Sequence, residues 1–111
     1  MFLRLPRISL SLGMAAGLAT LAFCMPAFAK DVTVTISNFA FAPAATTIAV
    51  GDTVTFVNGD DTIHSVIADD GSFHSDGLDT NDKVTFTFSK AGKIGYHCGL
   101  HPFMKGTIVV Q

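Results

Sequence analysis

Tyr96-His97-Cys98-Gly99-Leu100-His101-Pro102-Phe103-Met104 sets a thiol, an imidazole and a thioether in one short stretch, with two residues between Cys98 and His101 and two between His101 and Met104. These are soft or borderline metal ligands, and so short a loop makes their side chains converge. One further imidazole would complete a His2Cys trigonal set with a weak axial Met, the arrangement that suits copper in electron transfer. His64 is the candidate. The same stretch decides the fold. Ile94, Tyr96 and Cys98 share one parity, so in an extended strand they point to one side and His97 to the other. His64 lies 34 positions before Cys98, so the scaffold must hold two distant segments together.

Working outward, residues 105–110 read as a closing strand and 93–98 as the strand that runs into the loop, after a turn at Ala91-Gly92. Residues 83–89 alternate, with Val84, Phe86 and Phe88 against Lys83, Thr85 and Thr87. The stretch 68–82 is rich in Asp, Gly and Ser and reads as a long surface connection anchored by Phe73 and Leu78. Residues 63–67 read as a short strand carrying His64, preceded by the turn signal Asn58-Gly59-Asp60-Asp61. Further back, 53–58 forms a strand with Val54 and Phe56 on one face, 46–50 is a β-branched run, and Pro43 must sit at an edge or in a turn because it donates no amide hydrogen. Val32, Val34 and Ile36 alternate with Thr33, Thr35 and Ser37. The expected class is all-β: a Greek-key β-sandwich, antiparallel, of about seven to eight strands. Phe39, Phe41, Phe56, Phe73, Phe86, Phe88 and Phe103 are the expected bulk of its core.

The loop resembles the copper-binding loop of the small cupredoxins, the type 1 blue copper family, and its spacing with Tyr-His-Cys and His-Pro-Phe-Met is most like amicyanin. Thr55-Phe56-Val57-Asn58-Gly59-Asp60, followed by Ile63-His64-Ser65-Val66, is similar to the segment that brings the first His ligand in plastocyanin and amicyanin. Phe86-Thr87-Phe88 and Lys90-Ala91-Gly92-Lys93-Ile94-Gly95-Tyr96 resemble the hairpin that leads into the Cys. Carried over by position, the resemblance covers nearly all of residues 30–111 and implies that His64, Cys98, His101 and Met104 ligate one copper ion. Two positions depart from the family pattern. Ser65 stands where Asn usually ties the ligand loops together, and Gly99-Leu100 replaces the usual Ser or Thr followed by Pro. Gly99 has no hydroxyl to meet Ser65, which puts the brace between the two loops in question.

The chain opens with Arg4 and Arg7, an apolar run over 8–24 and the small-x-small triplet Ala27-Phe28-Ala29, the pattern of a secretory signal peptide. Residues 1–29 are therefore expected to be removed, leaving 82 of the 111 residues as one domain, 30–111. An alternative, acylation at Cys24, is opposed by the bulky Phe23 beside it. Cleavage takes Cys24 away, so Cys98 has no disulfide partner in the exported chain. It also leaves five Lys against nine Asp and no Glu, a net charge of about minus four. That balance gives no support to nucleic-acid binding and allows electrostatic choice among redox partners.

Each residue has a plainer reading: Cys98 as an inert buried thiol, Met104 as core filler, His64 and His101 as ordinary histidines. Their occurrence together, and the Asn-x-Asp turn before His64, favour the metal. Zinc competes for a Cys and two His, but a thioether is a poor ligand for it. His97 is expected to hydrogen-bond on the surface and His74 to be solvated. The expected function is a periplasmic, monomeric, mobile one-electron carrier, not an enzyme and not membrane-inserted once cleaved. A partner would dock on an apolar rim of Leu100, Pro102 and Phe103 and exchange its electron through the His101 edge. By the resemblance, partners are a periplasmic dehydrogenase, a cytochrome c or a terminal oxidoreductase. Two other readings are a Cys98 nucleophile activated by His64 or His101, which leaves Met104 unexplained, and a copper store, which would need more Met or His ligands.

Overall fold

The computed structural model describes Leu3 and residues 28–111, and most of the expected signal peptide lies outside the described residues. Eight strands follow one another: β1 (Asp31–Ser37), β2 (Ala40–Ala42), β3 (Ala45–Ile48), β4 (Thr53–Asn58), β5 (Ile67–Ala68), β6 (Lys83–Thr87), β7 (Gly92–His97) and β8 (Lys105–Val110). They form two four-stranded sheets in the orders β2-β1-β4-β6 and β3-β8-β7-β5. From β2 to β7 the chain changes sheet at every step. Only the β1–β2 turn and the β7–β8 loop join strands of the same sheet, and that second loop is the Cys-His-Met stretch.

The sandwich is mixed rather than antiparallel, because β1 runs parallel to β4 and β3 parallel to β8. Side-chain alternation reports which face of a strand is buried, not which neighbour it pairs with, so the pattern could not reveal this. Parallel neighbours need a crossover between them. Here β2 and β3 lie between β1 and β4 in sequence and serve as that crossover.

Alternation does place the core. Val34, Ile36, Val54 and Phe56 from one sheet face Tyr96, Ile108 and Val110 from the other, all nearly or wholly buried. Phe56 is at the centre, with the rings of Tyr96, Phe86 and Phe41 at 5.2, 6.1 and 6.2 Å. Two expectations fail. Phe39 and Phe103 are exposed at 42% and 70%, since both sit in the turns at one end of the sandwich. Residues 63–66 form no strand: His64 makes an isolated bridge with Leu78, and β5 begins only at Ile67. Pro43 follows the edge strand β2, as its missing donor requires.

The opposite end is closed by Asp52. Its carboxylate accepts the Lys30 and Ala49 amides, each at 2.9 Å, and the Lys30 bond first, then that from Ala49, lowers its pKa. A lowered folded pKa stabilises fully above the unfolded value of about 3.9 and is lost as pH falls through the lower folded value. Urea midpoints measured from neutral pH into acid should therefore fall in that window, and Asp52→Asn should flatten the fall. An identical acid limb in the variant would remove Asp52 from the account.

Candidate metal centre

Three segments meet at the end of the sandwich where β1, β4 and β7 finish. The first leaves β4 at Asn58, whose buried amide donates to the carbonyls of Thr62 and Leu78 at 2.9 and 2.7 Å and accepts the Asp60 N–H at 2.9 Å. One side chain thus shapes the whole turn that delivers His64. His64 is fully buried, and its Nε2 lies 2.9 Å from Asp60 Oδ2. Its other nitrogen, Nδ1, faces Cys98 Sγ at 3.7 Å.

Cys98 follows β7 in the inward parity of Tyr96 and is likewise fully buried. Its amide donates to the Met104 carbonyl at 3.1 Å and the Met104 amide to the His101 carbonyl at 2.9 Å, so the loop is cinched at its base. Cys98 Sγ accepts the Ser65 amide at 3.3 Å and lies 3.8 Å from His101 Nδ1. The His101 ring is partly exposed, whereas Met104 is 2% exposed.

The donor atoms of His64, Cys98 and His101 all lie within 4.8 Å of one another. With metal–sulfur and metal–nitrogen bonds of about 2.3 and 2.05 Å, a 120° angle separates sulfur from nitrogen by about 3.8 Å and a tetrahedral angle by about 3.6 Å. The observed 3.7 and 3.8 Å fall in this range, so one ion can bond the sulfur and both nitrogens. A thiolate with two imidazoles, and a thioether in the same loop, is a copper donor set, so the residues fit the ion. His97 and His74 stand apart from it. His97 Nδ1 pairs with Asp69 Oδ1 at 2.6 Å on the outer side of β7, and His74 is exposed.

A family model described as a cupredoxin-like domain matches residues 12–110. The chain belongs to the cupredoxin family. Its cofactor is accordingly one type 1 copper ion, the group for which the donor triangle is shaped. Amicyanin from Paracoccus versutus is 32% identical over 88 residues, covering 75% of this chain and 67% of the relative. Plastocyanin from Scenedesmus fuscus is 34% identical over 98 residues, covering 73% of this chain and all of the relative. A solved structure of an oxidized amicyanin mutant superposes with a TM-score of 0.69 at 29% identity, covering 72% of this chain and 81% of that one.

This cupredoxin does brace the His64 segment against the Cys98 loop, in a form the sequence did not announce. Ser65 Oγ accepts the Gly99 amide at 2.9 Å. The missing hydroxyl at position 99 is not needed, because the main chain donates instead. A Cβ at Gly99 would stand 2.5 Å from Ile67 Cδ1 and 2.9 Å from Ser65 Oγ, so the small residue lets the loops approach. Gly99→Ala should cost about 1–3 kcal/mol, the range for overpacking. Adding Ile67→Val, which removes the clashing methyl, should recover part of it in urea unfolding. No recovery would place the strain elsewhere.

Asp60 and Asn58 escaped the sequence reading as anything but turn residues. The available signal was a carboxylate four positions before His64, too common in turns to stand out.

Proposed function

We propose that this protein, after loss of residues 1–29, is a mobile one-electron carrier of the periplasm that holds its copper with His64, Cys98, His101 and Met104. The observation that carries the reading is the convergence of His64 Nδ1, Cys98 Sγ and His101 Nδ1 at distances that one metal ion can bridge. Bound copper cycles between monovalent and divalent states and so supplies one electron at a time. The chain's contribution is to keep the donors where both states accept them. Asn58 and Asp60 fix His64, the Cys98–Met104 backbone bond cinches the loop, and the Ser65 amide holds the sulfur. Met104, buried at the base of the loop, would supply a weak thioether ligand.

Only His101 of the three offers an edge towards solvent. Around this end Ile63, Leu100 and Phe103 are exposed at 44, 54 and 70%, and Pro102 is exposed as well. Together they make an apolar rim on which a partner docks to exchange its electron through the His101 ring. Redox encounters of this kind are small and weak, which allows quick release. The acidic balance of residues 30–111 steers the approach. A periplasmic dehydrogenase, a cytochrome c or a terminal oxidoreductase fits such a carrier, and a monomer serves it. The complete burial of Cys98 speaks against a catalytic nucleophile.

Adding Cu(II) to the purified metal-free protein should produce an intense visible thiolate-to-copper band that bleaches on reduction and returns on oxidation, at one equivalent. A protein that stays colourless while its thiol is freely alkylated would overturn the reading.

A further inference from the structure

We infer that Asp60 is the positioning residue of the copper centre: through His64 Nε2 it sets the ring's tautomer and orientation, and its charge favours the oxidised ion. The inference rests on the copper reading above. Every polar group of Asp60 is engaged. Oδ1 accepts the Asn38 amide at 2.7 Å, while Oδ2 accepts the Phe39 amide and faces His64 Nε2, both at 2.9 Å. Its own amide donates to Asn58 Oδ1 at 2.9 Å, and its carbonyl accepts Thr80 Oγ1 at 2.7 Å. The side chain is only 14% exposed.

The other side of the carboxylate shows how firmly it is held. Asn38 and Phe39 both adopt positive φ, at 58° and 57°, a conformation that non-glycine residues rarely take. Their two amides converge on Asp60, and the resulting turn seats the Phe39 ring edge-on to both His64 and His101, at centroid distances of 5.1 and 5.2 Å. The carboxylate is therefore fixed from β1–β2 and from its own turn before it meets the imidazole.

Held in that way, it can accept only a proton carried on Nε2. Nδ1 is left with its lone pair free, on the side of Cys98 and His101. A carboxylate on the far nitrogen of a ligating imidazole fixes the ring's plane and its tautomer. The negative charge held 2.9 Å from the ring stabilises the divalent ion over the monovalent one.

The test has a metal-free arm and a copper arm. Nitrogen-15 NMR of the metal-free wild-type protein should show His64 protonated at Nε2 and bare at Nδ1; the opposite tautomer, or a mixture, would overturn the inference. In the copper form, Asp60→Asn should shift the preference for divalent over monovalent copper about tenfold toward the monovalent ion, a rise of about 59 mV in midpoint potential. Thr80→Ala loosens the same turn without touching the carboxylate and should leave the potential unchanged. An unaltered potential in Asp60→Asn, or an equal rise in Thr80→Ala, would show that Asp60 only staples the chain. A wild-type protein that develops no blue band would instead sink the copper reading, with the metal-free arm still deciding the tautomer.

Discussion

Cys98→Ser should abolish the visible band and weaken copper binding by more than the roughly 10–100-fold lost with an outer-shell partner. Serine keeps the shape of the side chain but replaces a soft thiolate by a neutral hydroxyl that holds its proton far above neutral pH. The charge-transfer band needs the sulfur, so its loss is complete rather than graded. The fold should survive, because the hydroxyl oxygen can still accept the Ser65 amide that meets Cys98 Sγ at 3.3 Å. Circular dichroism and copper titration separate the two effects. His74→Ala is the matched control: His74 is exposed and stands outside the donor triangle, so colour and stoichiometry should be unaffected. Colour that persists in Cys98→Ser, or vanishes in His74→Ala, would reverse the site assignment.

Phe56→Ala should cost about 3–5 kcal/mol, the usual loss for a buried aromatic ring. Phe56 is wholly buried and lies against Tyr96, Phe41 and Phe86, joining the two sheets. A domain of this size has about 4–12 kcal/mol in all at 0.05–0.15 kcal/mol per residue. The metal-free variant should therefore unfold at a much lower urea concentration than the wild type. A ligand at a thousand times its Kd adds about 4 kcal/mol, so excess copper should raise the variant's midpoint again. Cooperative, wild-type-like urea unfolding without metal would show that the core does not depend on this ring.

The alternation of apolar residues was sufficient to find β1, β4 and β8 and to send Cys98 inward with Tyr96, because burial on one face of a strand leaves a two-residue period. The Cys-x2-His-x2-Met spacing singled out Cys98 and His101, which the structure brings together with His64. What stayed hidden depends on partners rather than on period. Parallel pairing of β1 with β4 leaves no mark on side-chain alternation. Phe39 and Phe103 look like core residues in composition, yet turns carry them to the surface. The short strand expected at 63–67 dissolves because Asn58, distant along the chain from Leu78, holds this segment by side-chain bonds in place of a ladder. Ser65 and Asp60 work through main-chain amides, which every residue but proline possesses, so no residue type at positions 99, 38 or 39 could announce them.

Crystals of the copper-loaded protein, measured at the copper absorption edge, would locate the ion among its side chains. One anomalous peak is expected within bonding distance of His64 Nδ1, Cys98 Sγ and His101 Nδ1. A peak at the His97–Asp69 pair or at His74, with the triangle empty, would contradict it.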